Sequence, residues 1–249
     1  MIMIWLDIKE TARNKRFLLF TLIFPLAWYV MMISMAKASG FFTTANAYLW
    51  LSAACAIGIA GNAVVTFSKK ISHTRKFYQL QNHTSEYSMR HWLIDQMSVQ
   101  VILNFVICFV IVMAGLLMQS LVFNLDLVLM LVLFSLMGIY LSAIGFLLGI
   151  FLDSRTLDAL GMPLSMGFGM LMIRLDTWLS GTVVEIITVL QKFFPGYYLF
   201  DIVQKMILNQ NFNHALLRFG LSSLMIVIPF VIIGIVQHQS PVSGGITND

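Results

Sequence analysis

The chain has 249 residues, of which 59% are hydrophobic and only 10% charged, with a net charge of +4. A soluble domain carries about 25% charged residues and roughly 45–50% apolar ones. So few charges cannot cover the water-facing surface of a globule this size, which excludes a soluble enzyme, a disordered chain and a nucleic-acid reader. The composition reads as an all-α, polytopic integral membrane protein.

At the N-terminus, Ile4, Trp5, Ile8 and Ala12 recur at helical spacing, with Asp7, Lys9, Glu10, Arg13 and Asn14 between them. This pattern predicts an amphipathic helix over residues 1–16 lying flat in the membrane interface. Trp5 sits at the boundary, and Lys9, Arg13 and Arg16 meet anionic head groups. The charges follow the first apolar patch instead of preceding it, so the first span is expected to persist rather than be cleaved as a signal peptide. Six segments are then long and apolar enough for a bilayer core of about 30 Å, which needs roughly 20 helical residues. They are 17–36, 48–67, 97–119, 125–152, 157–173 and 215–236. The fifth is short and carries Gly161, Pro163, Gly167 and Gly169, which predicts a bend. The period-two alternation of a membrane barrel is absent, so the spans read as helices.

Of the 15 Lys and Arg residues, ten fall on the side that holds the N-terminus and five on the other. Positive charge collects on the cytoplasmic side, so both termini are expected inside. The inner loop, 68–96, is basic and aromatic and exceeds the 2–8 residues of ordinary bundle connections. It reads either as a docking segment for a soluble partner or as a solvated basic loop. Outside, residues 174–214 contain Val183, Val184, Ile186, Ile187, Val189 and Leu190 around Glu185 and Thr188, a short amphipathic or re-entrant helix. The run FFPGYYLF at 193–200 breaks it, and a second short helix is expected over 201–208. Such a segment can gate the bundle or merely cap it. The last ten residues, with Pro241, Gly244 and Gly245, read as a frayed end.

The chemistry that is missing narrows the function. No GxxxxGK[ST] run and no HExxH pattern occurs, so neither nucleotide nor zinc chemistry is expected in this chain, and no metal or catalytic residue is assigned. Ser180 has no histidine in a span to act as its base, which speaks against an intramembrane hydrolase. The span interiors hold no carboxylate, His, Lys or Arg, the groups on which ion-coupled carriers usually depend. Asn62, Gln100 and Asn104 read as interhelical hydrogen-bonding groups. Cys55 and Cys108 read as packing residues. Energy for any transport is therefore expected from another chain.

Three features together resemble the membrane subunit of a type-2 ABC exporter. They are the run from Arg13 to Phe17 entering LLFTLIFP with Pro25, the basic loop between the second and third spans, and FFPGYYLFD before the last span. The layout is similar over essentially the whole chain. Within the loop, Arg75 and Leu80 keep the family pattern, while His73-Thr74-Arg75-Lys76 stands where relatives often carry a Glu-Arg-Glu-like stretch. The resemblance implies six spans and a homodimer of permeases with two cytoplasmic ABC ATPase subunits, which bind the ATP and Mg; this chain itself holds no cofactor. It implies an ATPase contact through His73, Arg75, Lys76, Phe77, Leu80, Glu86 and Arg90. It also implies an outer gate at Phe194, Pro195, Tyr197 and Tyr198. The implied activity is ATP-driven export of a hydrophobic or amphipathic cargo, such as an antimicrobial peptide or a drug, across the plasma membrane, with no nucleic-acid partner. A secondary carrier or small channel is the alternative reading.

Overall fold

The computed structural model describes residues 2–15, 17–74, 89–226 and 228. Every regular element among them is helical. Helix α1 covers Ile2–Arg13, α2 Phe17–Ser39, α3 Thr44–Thr74, α4 Met89–Leu117 and α5 Leu125–Phe151. Beyond them lie α6 (Ser154–Met172), α7 (Thr182–Gln191), α8 (Pro195–Ile207) and α9 (Asn213–Leu224).

Four of these, α2 to α5, are long and apolar enough to cross a membrane. The pair α7 and α8 makes a fifth candidate if it counts as one span, bent by 103°. The protein is thus a helical bundle compatible with membrane insertion. Its outward faces agree with that, because Phe24, Met31 and Met35 on α2 and Phe105, Phe109 and Met113 on α4 are all exposed. Six spans were expected, and four or five are found among the described residues. The expected span 157–173 falls in α6, whose apolar run is diluted by Arg155, Asp158 and three glycines. The expected span 215–236 begins in α9 and passes outside the described residues.

Helix α3 is the hub of the bundle. It packs on α2, α4, α5, α6 and α8, and 78% of its most apolar stretch is buried against 28% for α2. Its sequence explains this, since Ala53, Ala54, Cys55, Ala56, Ala60 and Ala63 are apolar on every side and small enough to let neighbouring backbones approach. The closest approach is to α5. A Cβ at Gly145 would collide with the Ala63 carbonyl, and one at Gly149 with the Ser68 carbonyl.

Both α2 and α3 contain a wider π-helical stretch, Phe17–Ile23 and Gly61–Phe67, and these two stretches pack on each other. The first has a visible cause, because Pro25 offers no N–H to the turn before it. The hydrogen bonds Tyr48 Oη→Val122 O (3.1 Å) and Lys37 Nζ→Met118 O draw the connections between helices together at one end. Ser72 Oγ→Leu152 O (3.0 Å) and the Lys69–Asp158 ion pair do the same at the opposite end, where α1 lies.

Candidate functional site

At its own end of the bundle, α1 rests on α4 and on the start of α2. Ile4 and Ile8 are half-buried and Thr11 is buried, while Trp5, at 67% exposure, points outward with Lys9 and Arg13. The packed face therefore differs from the sequence reading, which grouped Trp5 and Ala12 with Ile4 and Ile8. Asp7 is the physical reason. Its carboxylate turns inward, 3.1 Å from Lys70 Nζ on α3, and accepts a hydrogen bond of 2.8 Å from Gln96 Nε2 on α4. One residue of α1 thus holds both helices that flank residues 75–88.

Below that clamp, Trp92 is buried against Phe146, with ring centroids 6.0 Å apart, beside Phe67 and Ile71. Of the residues assigned to an ATPase contact, His73 is exposed at the end of α3. Arg90 lies in the first turn of α4. Arg75, Lys76, Phe77, Leu80 and Glu86 fall outside the described residues, as does Arg16 of the interfacial segment. On the same end Asp153 caps α6, and the Thr156 hydroxyl holds its carboxyl below the usual range.

The core contains a neutral polar cluster. Asn62 Nδ2 donates to Gln100 Oε1 (2.7 Å) and to Asn104 Oδ1 (2.8 Å), and Asn104 Nδ2 donates to Ser142 Oγ (3.2 Å). All four residues are buried. They link α3, α4 and α5 as interhelical hydrogen bonds do in an apolar medium. Gln96, Gln100 and Asn104 recur every fourth residue, so the polar stripe on α4 runs about 12 Å from the Asp7 clamp into the core.

The opposite end is built around the bend between α7 and α8. Pro195 opens α8, where its missing N–H is harmless, and both Pro195 and Gly196 are buried. A Cβ at Gly196 would collide with the backbone of Met172, so α8 lies directly on the end of α6. Gln191 is fully buried and its Nε2 donates to Ile173 O (2.5 Å) and Met170 O (2.8 Å), satisfying carbonyls at the end of α6.

Beside it, the Arg174 guanidinium reaches Asp176 (Nε–Oδ1 2.8 Å), Asp201 (Nη1–Oδ1 2.9 Å) and Gln204 (Nη1–Oε1 3.3 Å). It also lies over the Tyr197 ring, 5.0 Å from its centroid. Partial burial opposes the charge on Arg174, but hydrogen bonding to Asp176 and the nearby carboxylates outweigh it and raise its pKa. Lys205 completes the cluster on Asp201 at 2.8 Å.

All four residues read as an outer gate are gathered here. Phe194 and Pro195 form the bend, Tyr197 touches Asp176 (3.4 Å), and the Tyr198 ring meets Tyr197 edge-on at 5.4 Å. Arg174, Asp176, Gln191, Asp201 and Gln204 were not singled out from sequence. The one signal available was their polarity in a stretch otherwise poor in charge. Next to the cluster, between the start of α3 and the end of α8, lie two cavities of about 380 and 290 Å³, the first bordered by Tyr48, Asp126 and Met206, the second by Trp178 and Gln204. Among the described residues, no group of three or more His, Cys, Asp or Glu is placed to hold a metal ion, and Cys55 and Cys108 are buried free thiols.

Fold and geometry define a class, an all-helical bundle with four or five apolar helices, a clamped amphipathic helix at one end and a bent helix pair at the other. Comparison with protein-family models, with characterised proteins and with solved structures gives no match for this chain.

Proposed function

We propose that the chain is the permease subunit of an ATP-driven exporter for a hydrophobic or amphipathic cargo. In this reading six spans, including 157–173 and 215–236, cross the plasma membrane with both termini inside. Two copies pair with two cytoplasmic ATPase subunits, and the segment around residues 75–88 takes up their motion. The observation that carries the reading is the Asp7 clamp. It ties a helix with an exposed Trp5, Lys9 and Arg13 to Lys70, near the end of α3, and to Gln96, in the second turn of α4, the helices on either side of that segment. A displacement applied to the segment is thereby passed to the central helix α3 and to the interfacial helix at once. As physical chemistry this is a population shift, in which nucleotide favours one arrangement of the ATPase pair and the bundle follows it. The opposite end, where Phe194, Pro195, Tyr197 and Tyr198 meet, is the site at which return flow is restricted.

The test is biochemical. The full chain, purified with the ABC ATPase that co-isolates with it and reconstituted in liposomes, should stimulate ATP hydrolysis and move an amphipathic peptide. Replacing residues 75–88 by a Gly/Ser linker should abolish the stimulation, and Asp7→Ala should weaken it severalfold. Undiminished coupling in the linker variant overturns the proposal. Transport driven by an ion gradient without ATP would instead establish the secondary-carrier alternative.

A further inference from the structure

The two cavities between the start of α3 and the end of α8 share Ala45 and Ile207 in their walls, so they adjoin. Three helices build the larger one, of about 380 Å³. Tyr48 of α3, Met130 of α5, and Val203 and Met206 of α8 border it, and each is at most 7% exposed. Its inner surface therefore belongs to the packed bundle. The Tyr48 hydroxyl also fixes one wall, because it donates to the carbonyl of Val122, which borders the same space. The smaller cavity, of about 290 Å³, continues along Leu49, Trp178 and Leu208. A few hundred Å³ with mostly apolar walls and few polar groups is the form of a small-molecule site.

Charge decides what can enter. Asp126 is exposed at the larger cavity, and among the described residues it is the one charged side chain bordering either space. Its carboxylate accepts a hydrogen bond from Asn124 Nδ2 (3.3 Å), and among the described residues it has no ion-pair partner. Cations at this end are engaged elsewhere, Arg174 and Lys205 with Asp201 and Lys37 with the Met118 carbonyl. The first turns of α3 and α5 also reach the cavity, and helix N-termini attract anions. Here Thr43 Oγ1 already accepts from the Asn46 N–H (3.2 Å), and Asn124 Oδ1 from the Leu127 N–H (2.9 Å). Both ends are thus capped, and Asp126 adds a full negative charge to the first turn of α5. What faces a ligand is an apolar cleft with one carboxylate at its edge.

We propose that this cleft binds a lipophilic cation, a molecule with a single positive charge on an apolar body. The charge lies toward Asp126, and the body fills the space over Met130, Val203 and Met206. An anion of the same shape meets an uncompensated carboxylate and is rejected. A neutral molecule keeps the apolar contact but gains nothing from Asp126. Because Asp126 is exposed, solvent screens the pair, and its share of the affinity is a factor of a few. The site stands apart from the exporter reading, since equilibrium binding needs neither nucleotide nor a second subunit.

The experiment uses the purified full chain in phosphatidylcholine nanodiscs, with empty nanodiscs as the blank. Equilibrium binding of radioactive tetraphenylphosphonium is measured beside tetraphenylborate, an anion of nearly the same size and shape. The expected result is saturable binding of one tetraphenylphosphonium per chain and no saturable binding of tetraphenylborate. Asp126→Asn should weaken the cation by roughly two- to fivefold, and Asp126→Lys by at least about tenfold. Ala45→Trp, in the wall shared by both cavities, should abolish binding by filling them. Glu185→Lys, which reverses another exposed carboxylate on this end, should leave binding unchanged. Each variant's melting temperature without ligand reports its fold separately. Absence of saturable tetraphenylphosphonium binding overturns the proposal, and so does equally tight binding of tetraphenylborate. An Asp126→Lys variant that folds and binds the cation as the wild type does overturns it too.

Discussion

Arg174 shows how much one side chain can be asked to do at a helix bend. Its fork bonds Asp176 from one side and Asp201 and Gln204 from another, so it joins the end of α6 to the second and third turns of α8. Planar guanidinium geometry makes this possible, whereas a lysine offers a single point charge and could keep only one of these partners. The side chain is 21% exposed, so solvent screens part of the gain. Arg174→Lys is expected to destabilise the protein by about 1–2 kcal/mol, the roughly 1.5–3 kcal/mol of hydrogen bonds to charged groups reduced by that screening. Thermal unfolding would measure it. A loss equal to that of Lys192→Ala, an exposed residue on the same end, would remove Arg174 from this role. Gln191 works differently, because it spends its amide on backbone carbonyls that would otherwise be buried without donors.

At the scale of elements, the contact between α3 and α5 holds the bundle most tightly. Gly145 and Gly149 are four apart on α5, so they share one face, and that face lies against the backbone of α3 at Ala63 and Ser68. Small residues at such an interface replace hydrophobic driving force with close packing and dispersion. Gly145→Leu should therefore force the helices apart and cost roughly 1–3 kcal/mol or more, as overpacking does. Gly167→Leu on α6, where nothing lies within 4 Å, should cost far less. Equal unfolding midpoints for the two variants would contradict the packing argument. The apolar runs that make α2 to α5 were plain in the sequence, because length and hydropathy alone decide whether a helix can span. The π-helical stretches were not, since a widened turn leaves no apolar period of its own. Nor was the inward turn of Asp7, which depends on Lys70 and Gln96, far away in the chain. Among site residues, the Pro195 bend and its aromatics were legible through a local pattern. Arg174, Gln191 and Asp201 became meaningful only once folding brought three distant segments together.

For the molecule as a whole, the two ends differ in what they hold and should face opposite compartments. Lys9, His73 and Arg155 are exposed at the end with α1, and Lys37, Asp126 and Lys192 are exposed at the end with the bent pair. Between them stands α5, whose 27 residues amount to about 40 Å of helix, more than the roughly 30 Å of a bilayer core. An assembly of this height, with exposed Phe and Met along its sides and polar clamps at its ends, is compatible with insertion across a membrane with its axis near the normal. Burial of charged ends in the hydrocarbon would be too costly for any orientation in the plane. By the positive-inside rule, the bias of Lys and Arg toward the α1 end predicts that this end faces the cytoplasm. Single cysteines at Lys9, His73 and Arg155 should react with a membrane-impermeant maleimide only in inside-out vesicles, and those at Lys37, Asp126 and Lys192 only in right-side-out ones. The background should be low, because both native cysteines, Cys55 and Cys108, are fully buried. Labelling of all six positions from one side would contradict the transverse arrangement itself. Opposite-sided labelling with the α1 end outside would preserve the arrangement and reverse its orientation. That result would also remove the Asp7 clamp from any contact with a cytoplasmic ATPase.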